Sequence, residues 1–285
     1  MTIGVNIARI VGSEHGEIFD EVTELLIDCL RQIGVEVYET KNSLDSTRLN
    51  ILVGATVFLP AEIFAEIKKS ARPYVVFQTE VLNPDGGFGR HCPAYTDFLP
   101  TASQVWDYSE SNLPFLKQLG CGHVKHIPLG YAASLERIPR LSERDIDILF
   151  FGSLSPRRQR VLDNLASKWR VKVLFGAYGK TRDQEIARAK MVLNLHQFDT
   201  PQLEQIRLSY LLNNKCFVVS ERADVDPYDG GVVFCEYDKI IECCETYLAP
   251  GMESERERIA AKGYERLLAV PTADALREAL MGVCP

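Results

Sequence analysis

Short apolar runs rich in Val, Ile and Phe alternate with amphipathic stretches of helical period along almost the entire chain. That rhythm restricts the fold, because parallel strands need a crossover between them and a helix is the usual crossover. Strands are expected at residues 2–8, 35–38, 50–55, 73–78, 104–107 and 123–127, with helices at 17–33 (ended by Gly34), 61–70 and 109–119. After a polar, turn-like stretch over 130–143 the series resumes, with strands at 146–151, 171–175, 191–195, 216–220 and 232–235. Helices at 156–168, 182–190 and 202–213 fall between them, and 237–248, 253–268 and 272–281 close the chain as helices. Residues 81–103, dense in Pro and Gly, read as a long surface loop or broken helix. The expectation is an α/β protein of two doubly wound, Rossmann-like domains, 1–135 and 136–285, facing across a cleft. Ligands of such sheets bind at the carboxyl ends of the strands, so the loops after strands are where chemistry is expected.

Composition removes several classes. The 285 residues, 46% hydrophobic and 25% charged, suffice for one large core or two ordinary ones. Lys and Arg number 32 against 39 Asp and Glu, and a net charge of −7 argues against a phosphate-backbone binder, so nucleic acid is not an expected partner. The longest apolar run, 51–60, is half of the roughly 20 residues a membrane helix needs. The first residues lack the form of a secretory signal, so no transmembrane segment and a cytoplasmic location are expected. Eight cysteines without a CxxC pair read as small buried hydrophobes in a reducing compartment. Cys121, His123 and His126 lie within six residues, but on a strand the two histidines point to opposite faces, and no metal is expected.

Three loops after strands in the second half carry the candidate chemistry. The strand at 146–151 runs into Gly152-Ser153-Leu154-Ser155-Pro156-Arg157-Arg158, a small-residue turn and helix start that suits an anion. Arginines in a first helical turn oppose the helix dipole, and a phosphate between them and the helix end would resolve the conflict. No GxxxxGK[ST] motif is present and no GxGxxG follows a strand, so neither a Walker loop nor a dinucleotide fold is indicated. Next, Phe175-Gly176-Ala177-Tyr178-Gly179 offers glycines and one aromatic for holding a flat base. The third loop begins at His196 and leads to Glu204, Arg207 and Tyr210, which share a helical face by their spacing.

The segments QVWDYSESN, HIPLGY, DILFFGSLSPRR, FGAYGKTRD, VLNLHQFDTPQLEQIRLSYLLNNKCFVVSE and ERIAAKGYERL resemble, in content and order, compact GT-B glycosyltransferases of the bacterial group-1, spore-maturation-protein-like kind. The resemblance covers nearly the whole chain. It implies a donor domain in the second half that binds a nucleotide sugar as co-substrate, with no further cofactor, and an acceptor domain in the first half. It also implies a last helix that returns to the first domain. Gly152, Ser153, Arg157 and Arg158 would meet the diphosphate, Gly176 and Tyr178 the base, and His196, Glu204 and Arg207 the sugar or its phosphate. The acceptor would be a glycan, a lipid-linked or a small-molecule hydroxyl. Many relatives carry two glutamates eight positions apart before the last core strand, and those places hold Gln202 and Tyr210 here, with Glu204 out of register. The donor sugar and the stereochemical course are therefore open, as are a non-catalytic nucleotide-sugar binder and a sugar-nucleotide epimerase on the same fold. For a general base the first half offers His15, in the loop after the first strand, and Glu80, at the end of VVFQTE, with His91 a third choice.

Overall fold

The computed structural model describes residues 4–12, 16–70, 72–82, 92–199 and 202–283. The chain forms two compact units, Met1–Ser134 together with Val270–Pro285, and Leu135–Ala269.

In the first unit six parallel strands, β1 (Gly4–Arg9), β2 (Glu36–Lys41), β3 (Leu49–Val53), β4 (Tyr74–Gln78), β5 (Gln104–Asp107) and β6 (Val124–His126), lie in the order β2-β1-β3-β4-β5-β6. Helices α1 (Asp20–Gln32), α2 (Ala61–Lys69), α3 (Pro93–Thr96) and α4 (Leu113–Gln118) accompany them. Central strands covered on both faces must be apolar throughout, and Val5, Ile7, Ile51, Leu52 and the run Val75–Phe77 are almost wholly buried. Strand order reverses direction between β1 and β3, the place where open sheets of this kind leave a crevice.

In the second unit β7 (Ile146–Phe151), β8 (Val171–Leu174), β9 (Ala189–Asn194), β10 (Val218–Glu221) and β11 (Val233–Cys235) are again parallel, ordered β11-β10-β9-β7-β8. The reversal falls between β7 and β9. Helices α5 (Pro156–Ala166), α6 (Gly179–Arg188), α7 (Gln205–Asn213), α8 (Ile240–Leu248) and α9 (Glu253–Leu268) belong to this unit. The chain then returns, and α10 (Thr272–Met281) packs on α1 in the first unit. The Thr272 hydroxyl accepts from the Gly130 amide and donates to the Pro128 carbonyl, both at 2.8 Å, while Leu276, Ala279 and Leu280 are buried.

Several local readings change, three of them for a physical reason that the structure makes plain. The helix expected over 109–119 is a 3-10 turn followed by α4, because Pro114 starts a helix readily and cannot continue one. The helix expected from 202 starts at Gln205, since Gln202 and Leu203 are buried ahead of it in a non-helical segment. The stretch 81–103 is not all surface loop: within its described part Tyr95, Phe98 and Leu99 are fully buried, and Phe98 stacks on Tyr74 with ring centroids 5.6 Å apart and packs on Phe64 at 4.8 Å. These rings fill the space between α2 and the sheet, which a Pro- and Gly-rich composition does not reveal.

Helix α9 lies hard against the turn before β11. A Cβ on Gly263 would sit 2.6 Å from the Gly231 carbonyl oxygen and 2.6 Å from Leu212 Cδ2. Helix propensity favours Ala over Gly by at most about 1 kcal/mol, whereas overpacking a rigid contact costs about 1–3 kcal/mol. Gly263→Ala is therefore expected to lower stability by roughly 1–2 kcal/mol in urea unfolding; a stabilised variant would show that the contact yields.

Candidate functional site

The reversal point of the second sheet gathers the loops after β7, β9 and β10. Gly152, next after β7, has φ +135°, and a Cβ there would lie 2.9 Å from Arg207 Nη2. Glycine thus serves both the backbone conformation and the close approach of a guanidinium. Ser153 is exposed and its hydroxyl donates to Gln197 Oε1 at 3.1 Å. Among the described residues the amides of Ser153 and Leu154 have no acceptor. Ser155 caps α5 by accepting from the Arg158 amide at 3.3 Å, and Pro156 occupies the first turn. Open amides therefore directly precede the positive end of α5, an arrangement that favours an oxyanion.

The arginines of this turn are not the free cations the sequence suggested. Arg158 is 2% exposed and all five of its donors are engaged. Nε and Nη2 reach the Leu195 carbonyl at 3.0 and 2.5 Å. Nη1 reaches the Ser153 carbonyl at 3.0 Å and Gln197 Oε1 at 2.6 Å, and Nη2 also reaches Glu204 Oε1 at 2.8 Å. Burial pushes its guanidinium down to about 10, with Glu204 opposing. Glu204, directly ahead of α7, bridges Arg158 to Arg207, whose Nη1 also donates to Asn194 Oδ1 at 2.6 Å. Arg157 forms a bidentate pair with Glu221, the last residue of β10, and lies 3.8 Å over the Tyr237 ring. Against the effect of burial, that pair raises the Arg157 guanidinium. Buried charges demand partners, so protein carboxylates already resolve the conflict for which a phosphate was expected. Arg158 consequently positions the loop from inside, and only partly buried Arg157 remains beside the opening.

The other expected residues lie in the loops after β8 and β9 and in α7. His196 is 2% exposed, and its backbone N–H donates to Glu221 Oε2 at 3.0 Å. At the edge strand β8, Phe175 is exposed, Gly176 has φ +66° with open space where a Cβ would stand, and Tyr178 precedes α6 in an extended conformation. Tyr210 is buried: its hydroxyl accepts from Arg137 Nε at 3.2 Å and Arg182 lies 4.7 Å over its ring. Arg182 and Arg207 both lie over the Phe151 ring, at 5.5 and 5.2 Å. Glu221 was not anticipated, although it ends VVSE at a strand's carboxyl end, the position already used to select the other loops.

In the first unit, His15 and His91 lie outside the described residues. Glu80 follows β4 and is buried rather than a surface carboxylate; burial lifts its carboxyl to about 7. Asp107, the last residue of β5, is lifted to about 7 by burial against the hydrogen bonds it accepts. Those come from the Ser109 amide at 2.7 Å, Gln78 Nε2 at 2.6 Å and Asn112 Nδ2 at 2.9 Å. Gln78 and Asn112 also donate to the Glu80 carbonyl, at 2.9 and 3.0 Å, tying the two strand ends into one buried polar network. Among the described residues no group of three or more His, Cys, Asp and Glu could hold a metal ion, and no helix is long and apolar enough to cross a membrane.

No protein-family model matches the chain. An uncharacterized protein of Acanthamoeba polyphaga mimivirus is 34% identical over 154 residues, 51% of this chain and 53% of its own length; the chain spans about half the length of the curated relatives it first matches. Among solved structures, that of Anabaena HepE in complex with UDP and glucose superposes over 98% of this chain and 99% of its own, with a TM-score of 0.64 at 14% identity. AviGT4, a glycosyltransferase involved in avilamycin A biosynthesis, superposes over 99% and 98%, with a TM-score of 0.54 at 15% identity. Two Rossmann-like units with parallel sheets, matched over nearly their full length, identify the architecture of this chain as the GT-B glycosyltransferase fold.

Proposed function

We propose that the chain is a glycosyltransferase that moves a sugar from a nucleotide-activated donor to an acceptor hydroxyl. The observation that carries this reading is the loop after β7, at the reversal point between β7 and β9, where two amides with no acceptor among the described residues and the Ser153 hydroxyl directly precede the start of α5 and Arg157 in its first turn. The UDP and glucose held by HepE, on the same fold, support it. In the reaction the bond from the sugar's anomeric carbon to the phosphate oxygen breaks and a bond from that carbon to the acceptor oxygen forms. The nucleoside diphosphate leaves, and the acceptor proton passes to a base. The amides of Ser153 and Leu154, with Arg157, stabilise the leaving diphosphate without a metal ion. Phe175 and Tyr178, with Gly176, receive the base of the nucleotide, and His196, Glu204 and Arg207 form the wall nearest the sugar. Glu80, with a carboxyl near 7, suits proton abstraction at neutral pH, and His15 is the other candidate. A glycan, a lipid-linked or a small-molecule hydroxyl fits as acceptor, in the cytoplasm. Calorimetric titration with UDP, GDP, CDP, ADP and dTDP is expected to give binding of at least one nucleotide to the wild type, weakened tenfold or more in Arg157→Ala, about 1.4 kcal/mol. Failure of all five to bind the wild type would overturn the reading.

A further inference from the structure

The amino ends of the second unit's strands carry a feature that sugar transfer at their carboxyl ends leaves unused. A cavity of about 160 Å³ opens there, roughly ten times what one water needs. Its walls come from the segment leading into β7, the start of β9, the turn before β10 and the first turns of α9. Arg140, Arg144, Lys190, Lys215 and Arg256 line it, faced by only two lining carboxylates, Glu253 and Glu257. In a chain of net charge −7 this is a marked local inversion.

The partners these cations already have balance them only in part. Lys190 donates to Asp147 Oδ1 at 2.8 Å, but that carboxylate also takes Arg170 through two bonds of 3.2 Å, so one anion serves two cations. Arg140 approaches Glu257 only to 3.8 Å, with both side chains more than half exposed. Lys215 lies 3.3 Å from Glu136 and 4.1 Å over the Tyr264 ring. Arg256 donates to a neutral acceptor, the Tyr247 carbonyl, at 2.6 Å; burial pushes its guanidinium down, Glu253 opposing and Arg144 adding to the effect. Arg144 is half-buried and has no ion pair among the described residues. Like charges held together by the fold repel, and an oxyanion with several acceptors relieves that repulsion while taking charge-assisted hydrogen bonds.

We propose that this pocket binds the phosphate group of a small soluble ligand, at a site separate from the crevice at the opposite ends of the same strands. A phosphate could equally arrive on a lipid headgroup, but the adjoining cavity, where Ile138, Ile186 and Val192 meet Arg140, Arg144 and Lys215, holds only about 20 Å³. That is room for about one water, and no acyl chain fits it. The test is a titration with inorganic phosphate and with pyrophosphate, balanced with NaCl at constant ionic strength, read by thermal midpoint and calorimetry. Wild type is expected to show a saturable rise in midpoint, and Arg144→Glu an affinity at least tenfold weaker. Arg144→Gln removes the charge without orphaning a carboxylate, so it answers the question if the charge reversal does not fold. Arg157→Ala is expected to lose any phosphate or pyrophosphate binding at the crevice while keeping the Arg144-dependent part of the response, which separates the two sites. Vesicles of phosphatidylcholine with and without phosphatidic acid form the lipid arm, and no binding is expected there. A midpoint shift matched by NaCl, an undiminished response in both Arg144 variants, or Arg144-dependent binding to phosphatidic acid vesicles alone would each overturn the proposal.

Discussion

Arg158→Ala is expected to destabilise the second unit by about 3–5 kcal/mol, the range for removing one member of a buried charge network. The change takes the partner from the Leu195 and Ser153 carbonyls and leaves Glu204 with Arg207 alone, all at a site 2% exposed. Arg158→Lys is expected to recover little, because three donors on a flexible stem cannot reproduce five fixed ones. Arg157→Ala should cost less, since Arg157 is more exposed and Glu221 retains the His196 amide. Urea unfolding of the three variants provides the comparison. A loss below about 1 kcal/mol for Arg158→Ala, the worth of a surface pair, would show that the guanidinium does not organise this loop.

The second large effect depends on pH. The Glu80 carboxyl stands at about 7 in the folded protein against 4.5 as its ordinary value, so between these limits the native state holds the proton more tightly than the unfolded chain. Stability from this group is complete below about 4.5 and is lost as pH rises through 7, and a displacement of this size corresponds to about 3 kcal/mol. Glu80→Gln removes the titration, so its stability between pH 5 and pH 8 should fall by about 2.5 kcal/mol less than that of the wild type. Asp107, lifted in the same direction, stays in the variant and preserves a residual slope. Unfolding at the two pH values decides the matter: equal slopes would mean that water or a neighbouring group satisfies the Glu80 carboxylate.

Much of the fold was legible because its signals are local. The apolar run Ile146–Phe151 and the amphipathic stretches Glu253–Leu268 and Thr272–Met281 carry their own periodicity, and their bounds agree with those observed. The loops after β7, β9 and β10 were singled out for a topological reason, since strand ends at a reversal point are where such sheets bind ligands. What stayed hidden depends on pairing across long sequence distances. Nothing local to Arg157 and Arg158 announces that Glu221 and Glu204 neutralise them, because those carboxylates arrive from 64 and 46 residues away. Tyr210 shares helical spacing with Arg207, yet Arg137 and Arg182 claim it, the former from 73 residues upstream. Burial of Glu80 and Asp107 likewise follows from β4 and β5 lying side by side, which their separate sequences do not state.

The return of α10 to the first unit has a consequence for synthesis on the ribosome. The second unit is continuous and can close as soon as Ala269 has emerged, whereas the first lacks a wall against α1 until its last helix is made. The segment synthesised first is thus completed last, and in that interval the surface that Leu276, Ala279 and Leu280 later cover has no native partner.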